Sequence, residues 1–217
     1  MPRLGRQSNF TGALDAVVVV RGEADRVARW VEQGTVPAYV VELDGPWCAV
    51  VAAGPGHAAA PYDDAAVMLV ARSVPQSMRP AAGFFVHGDD AVTLVQPRRW
   101  RSLPRWFVVR RGVGVIRAAS PQASLADLLG VGVDPHSETL ERVLAQRGAE
   151  PVHVLRGIMV ALGIPAGHLL ELHPRAAIEA DLVEPDPKAV RRFDKHTGDE
   201  REERAEIEAR VEKENTR

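Results

Sequence analysis

Val27-Ala28-Arg29-Trp30-Val31, followed by Pro37-Ala38 and Gly45, returns forty-three residues later as Val70-Ala71-Arg72-Ser73-Val74, Pro80-Ala81 and Gly88. The register holds without a gap across an apolar helical stripe, a strand entry and a turn glycine, which predicts one αββ unit used twice. Working outward, Glu23 to Gln33 reads as a helix with Val27, Trp30 and Val31 inward and Gly34 as its stop. Ala38 to Leu43 and Trp47 to Ala52 read as strands joined at Asp44-Gly45, a strong hairpin signal. In the second copy Asp63 or Asp64 caps a helix with Val67, Val70, Ala71 and Val74 inward. A hairpin turning at Gly88-Asp89-Asp90 follows it.

Ahead of the first copy, the β-branched run Ala16-Val17-Val18-Val19-Val20 reads as a strand buried on both faces. Behind the second, Trp106 to Val109, continuing toward Ile116, supplies one more. The expectation is an α+β fold: an antiparallel sheet of about six strands in the order β-αββ-αββ-β, with its helices on one face. From Glu23 to Arg117 the order αββαβββ resembles that of roadblock-type and other profilin-like scaffold domains. The likeness is one of element order, without a shared residue motif, and implies no function for particular residues.

From Ser124 the apolar period becomes helical. Ser124-x-x-Asp127 resembles a capping box, Asp134-Pro135 opens a second helix carrying Leu140, Val143 and Leu144, and Pro151 opens a third carrying Val154, Leu155, Ile158, Met159 and Leu162. A short fourth helix is expected over Ala166 to Leu172. Residues 184–217 hold eleven acids and nine bases with scattered apolar residues, among them Ile207 and Val211 as docking candidates. The expected organisation is a sheet domain over 11–117, a helical subdomain over 122–183 that packs on it, and a charged helical or disordered tail over 184–217.

With 217 residues, 46% of them apolar, and a net charge of −2, the chain is neither a polycation nor an acidic mimic. An electrostatic partner must be met by a local patch. The single cysteine, Cys48, sits in an apolar strand and reads as an inert buried thiol. No apolar run approaches the roughly 18 residues that span a bilayer, so the expectation is a soluble, cytoplasmic protein without a membrane partner.

The patch that stands out is Pro97 to Arg117, with seven arginines interleaved with Trp100, Trp106 and Phe107 and no acid between Asp90 and Asp127. Arg98, Arg99, Trp100, Arg101 and Arg105 are the candidate partner-binding residues. Guanidinium forks and indole faces suit an acidic protein surface, as they suit the phosphates and bases of a nucleic acid. Against this stands an ordinary strand with solvated arginines in a chain whose first lysine is Lys188.

His168-x-x-Glu171-x-His173 is the densest group of metal-ligand types, yet it lacks the three or four converging ligands of a zinc site. Asp63-Asp64 and Asp89-Asp90 stand where a helix cap and a turn require aspartate. The Gly-x-Gly triplets at 54, 112 and 130 do not extend to a dinucleotide or P-loop fingerprint. No metal site, cofactor or catalytic residue is therefore nominated. The expectation is a non-catalytic interaction or regulatory module, with a nucleic-acid-binding protein and an enzyme lacking any local motif as alternatives.

Overall fold

The computed structural model describes residues 16–98, 102–117, 121–170, 180–198, 202 and 207. The β-branched run forms β1 (Ala16–Arg21), buried at every position except its last. Gly22 releases the chain into α1 (Ala24–Glu32), which buries Val27, Trp30 and Val31. β2 (Ala38–Glu42) and β3 (Trp47–Ala52) form the first hairpin. α2 (Ala65–Ala71) starts at Asp64, whose Oδ1 accepts the Val67 amide at 3.0 Å. β4 (Ala81–His87) and β5 (Asp90–Gln96) make the second hairpin. Gly45 and Gly88 turn the hairpins with φ of +71° and +58°, a region that costs glycine nothing.

β6 (Arg105–Arg110) and β7 (Gly114–Ile116) are separate strands, because residues 111–113 turn where one continuous strand is expected. α3 (Leu125–Leu129) begins with a complete capping box: the Ser124 hydroxyl accepts the Asp127 amide and the Asp127 carboxylate accepts the Ser124 amide. α4 (Ser137–Leu144) and α5 (Pro151–Ala161) follow, and α5 buries Val154, Leu155, Ile158 and Met159. A 3-10 helix at Gly167–Leu170 lies where the short fourth helix is expected, and the last two residues of that expectation, 171–172, lie outside the described residues. β8 (Leu182–Val183) and α6 (residues 187–198) complete the described chain.

The strands form one antiparallel sheet in the order β7-β6-β5-β4-β1-β3-β2-β8, eight strands rather than about six. β1, absent from the profilin-like element order, is the central strand. Val18 pairs with Val50 on one side and with Gly83 on the other.

The αββ repeat does not become a repeated unit of structure. The matched residues keep their local roles, since Ala38 and Ala81 each open a strand and Gly45 and Gly88 each turn a hairpin. However, the first hairpin meets β1 through its second strand, β3, and the second hairpin through its first, β4. Both strands run antiparallel to β1, hence parallel to each other. Since α1 and α2 lie on the same face, the two units have opposite hands, and no rotation superimposes them.

Helices cover both faces of the sheet. Ala16, Val18 and Val20 of β1 pack with Val27, Trp30 and Val31 of α1 and Leu69 and Val70 of α2. Val17, Val19, Phe84 and Phe107 pack with Leu128, Leu140, Leu155, Ile158 and Met159 of α3–α5. One core therefore joins α3–α5 to the sheet. Within α2 the buried stripe is Ala65, Leu69 and Val70, so Leu69 takes the inward place expected of Ala71, which is exposed.

α6 docks beside α1 and α2. Asp186 donates its amide to the Glu32 carbonyl at 2.7 Å, Asp194 Oδ1 accepts the Ala59 amide at 3.0 Å, and Phe193 meets Tyr62 edge-to-face at 5.5 Å. Ile207 is half exposed, and Val211 lies outside the described residues. Among the described residues, no helix is long and apolar enough to cross a membrane.

Candidate functional site

Three arginines of the strip, Arg105, Arg110 and Arg111, are paired with acids that the fold brings back to them. Arg105 Nη1 lies 2.6 Å from Asp127 Oδ1. Arg110 grips Asp90 through Nε and Nη2 at 2.7 and 2.8 Å, and these hydrogen bonds push its already high pKa further up. Arg111 forms a second two-point pair with Glu150, at 3.0 and 2.9 Å. Asp90 and Asp127 are the two residues that bound the acid-free interval in the sequence. Their return across the sheet and through the capping box neutralises Arg110 and Arg105, while Arg98 and Arg117 form no ion pair among the described residues. Asp127 therefore has two structural tasks, holding the start of α3 and holding Arg105. Burial pushes its carboxyl up, but hydrogen bonds from the Ser124 amide, Arg105 and the Ser124 hydroxyl outweigh that and leave it below its usual value.

Trp106 is half buried and packs on the α1–α2 face, while Phe107 is buried on the opposite face, as alternation along β6 requires. Arg99, Trp100 and Arg101 lie outside the described residues. Arg98 is exposed just beyond β5, and its carbonyl accepts a hydrogen bond from Gln76 Nε2.

Arg98 is also the strip's contribution to a groove of about 460 Å³ at the carboxyl end of β1. Chain reversal builds this groove. β1 ends at Arg21, Gly22 donates its amide to the Pro46 carbonyl at 2.8 Å, and the first turn of α1 rises from Glu23. The last residue of β2 and the first of β3 supply Glu42 and Trp47, and the segment before β4 supplies Gln76 and Arg79. Four arginines (Arg21, Arg26, Arg79 and Arg98) face two glutamates (Glu23 and Glu42) around this space. The first turn of α1 adds the partial positive charge of a helix amino end.

The four arginines are not equivalent. Arg79 is a brace: Nε donates to the Val74 carbonyl at 2.8 Å, Nη1 to the Ser102 carbonyl at 3.2 Å and Nη2 to the Ser73 hydroxyl at 3.3 Å. Arg21, Arg26 and Arg98 are exposed and form no ion pair among the described residues. Cys48, at the groove floor, donates its thiol to the Gly22 carbonyl at 3.2 Å, and burial followed by the charge of Glu42 pushes its pKa up. That combination makes it a poor nucleophile.

Arg21, Arg26 and Trp47 are absent from the sequence-derived candidates, because they converge with Arg98 only once β1, α1 and the two hairpins are assembled. The one local hint is a cation at a strand end immediately before a helix start. Of the weighed metal ligands, Asp64 caps α2 and Asp90 pairs with Arg110, while Glu171 and His173 lie outside the described residues. Among the described residues, no group of three or more His, Cys, Asp or Glu is placed to hold a metal ion. No protein-family model matches the chain, and neither the curated proteins nor the solved structures contain a significant match to it.

Proposed function

We propose that the protein is an interaction module that takes an acidic segment of a partner protein into the groove at the carboxyl end of β1. The observation that carries this reading is the set of three unpaired arginines, Arg21, Arg26 and Arg98, around one groove beside Trp47. The part of the strip that serves as contact surface is then its amino end at Arg98, with Arg105, Arg110 and Arg111 already bound to acids. Glu23 and Glu42 favour a peptide over a nucleic acid. A DNA backbone is anionic throughout and offers them no donor, whereas a peptide backbone carries an N–H donor at nearly every residue.

The test is fluorescence anisotropy with a labelled peptide of alternating Glu and Leu, alongside a labelled single-stranded oligonucleotide, across a salt series. The expected result is peptide binding that the triple variant Arg21→Ser/Arg26→Ser/Arg98→Ser weakens about tenfold, since three exposed charge contacts together contribute about 1–3 kcal/mol. Unchanged peptide affinity in the triple variant, with its circular dichroism preserved, refutes the groove. Oligonucleotide binding that is tighter and falls steeply with salt transfers the site to nucleic acid.

A further inference from the structure

Arg72 is a half-buried cation with no acid. Its guanidinium carbon lies 4.4 Å from the centroid of the Trp30 ring, and its side chain forms no ion pair or hydrogen bond among the described residues. Trp30 is itself locked in place, since its Nε1 donates to the Ser73 carbonyl at 3.1 Å. Gly34 makes the room, because a Cβ there would sit 2.4 Å from Arg72 Nη1. Stacking offsets part of the desolvation of a guanidinium but leaves the N–H groups along its edge unanswered. Burial accordingly pushes its pKa down to about 10, which still leaves it charged at neutral pH.

This edge borders a cleft of about 340 Å³, walled by Met68 of α2, Tyr62, and Phe193, His196 and Thr197 of α6. The size falls within the range of small-molecule sites, roughly 300–1,000 Å³. The lining combines the apolar surfaces of Met68, Tyr62 and Phe193 with the polar side chains of Gln33, Thr35, His196 and Thr197, and Arg72 is its one guanidinium. Such a composition orients a ligand by a few polar groups and binds it by its body. A single guanidinium matches a carboxylate in charge and in two-point geometry. A phosphate dianion carries twice the charge that this one guanidinium neutralises. The groove at the end of β1 is a separate place in the fold, and its fate does not bear on this cleft.

We propose that the cleft between α1, α2 and α6 is a binding site for a small organic carboxylate with an apolar body, the carboxylate paired with Arg72. α6 is then a structural part of the site, because Phe193, His196 and Thr197 form one of its walls.

The test is nuclear magnetic resonance on the full chain, following the Arg72 Nε–H and Trp30 Nε1–H signals during titration with phenylacetate, phenylacetamide and phenyl phosphate. Phenylacetate is expected to shift both signals saturably with a Kd of about 1 mM. The neutral amide is expected to bind at least tenfold more weakly, and Phe193→Ala to weaken phenylacetate several-fold. Arg72→Gln is expected to abolish the response at Trp30. Should that variant fold poorly, the comparison of acid with amide on the native chain decides the matter alone. The proposal is overturned if phenylacetate leaves Arg72 unshifted, if the amide binds equally well, or if phenyl phosphate binds more tightly than phenylacetate.

Discussion

Gln96 is the place where one polar side chain supports two elements, and replacing it with methionine isolates that role. The residue is 2% exposed at the end of β5. Its Oε1 accepts the Val74 amide at 2.8 Å, and its Nε2 donates to the Arg72 carbonyl at 2.8 Å. The carboxyl end of α2 thus hangs from the sheet by this amide, and Arg72 is held at the height where it covers Trp30. Gln96→Met keeps the volume and removes both bonds. A buried N–H left without an acceptor costs about 1–3 kcal/mol, and the part-buried carbonyl falls at the lower end of that range. The more apolar side chain returns about 1 kcal/mol.

The net expected loss is about 1–3 kcal/mol. For a chain of this size that lowers Tm by about 2–12 °C, at 2–4 °C per kcal/mol. Thermal unfolding followed by circular dichroism gives the global number. Hydrogen exchange gives the local one, and protection at the Val74 amide should fall while that of β1 amides falls only by the global amount. A Tm within about 1 °C of the parent, with Val74 still protected, refutes the reasoning.

Thr93 lies fully buried in β5 with its hydroxyl unpartnered among the described residues. Thr93→Val should therefore stabilise the protein by about 1 kcal/mol in urea unfolding, and a loss of stability would show that the hydroxyl has a partner. A Cβ on Gly83 would sit 2.5 Å from Val70 Cγ1. Gly83→Ala should cost about 1–3 kcal/mol, much of it recovered by adding Val70→Ala, so strictly additive effects would count against a clash between β4 and α2. Because the Asp127 carboxyl is held below its usual value in the folded state, its contribution is complete above about pH 4 and is lost as the pH falls through the folded value. Asp127→Asn should flatten this acid limb of the stability curve, and an identical limb in the variant would contradict the assignment.

The sequence is legible where a signal and its cause lie within a few residues of each other. The run of valines in β1, the turn glycines Gly45 and Gly88, the Ser124/Asp127 capping box and the apolar face of α5 all belong to that class. The hand of the two αββ units is different in kind. It depends on whether β3 or β2 lies beside β1, and both orders satisfy the same alternation of apolar residues. The split between β6 and β7 had a local sign in Gly112, with φ of +76°, but the apolar residues on either side masked it.

Charge was the least legible property. Within the interval without acids, the pairing of Arg110 with Asp90 comes from the hairpin register and that of Arg105 with Asp127 from the helical layer, and neither can be read from the neighbouring residues. Conversely, Arg21 and Arg26 belong to no cluster in the sequence and become one with Arg98 only through the order of the strands.

The central place of β1 has a consequence for how the sheet forms. β3 and β4 are not neighbours, so β1 is the strand that joins the half containing β2, β3 and β8 to the half containing β4 to β7. Each hairpin closes over a few residues and can form early and alone, whereas the pairings of Val18 with Val50 and Gly83 span long loops whose entropy must be lost before any bond repays it. Withdrawing β1 does not fray an edge. It divides one sheet into two, each left with a bare strand whose hydrogen-bonding groups face the gap, so cooperativity in this sheet runs through β1.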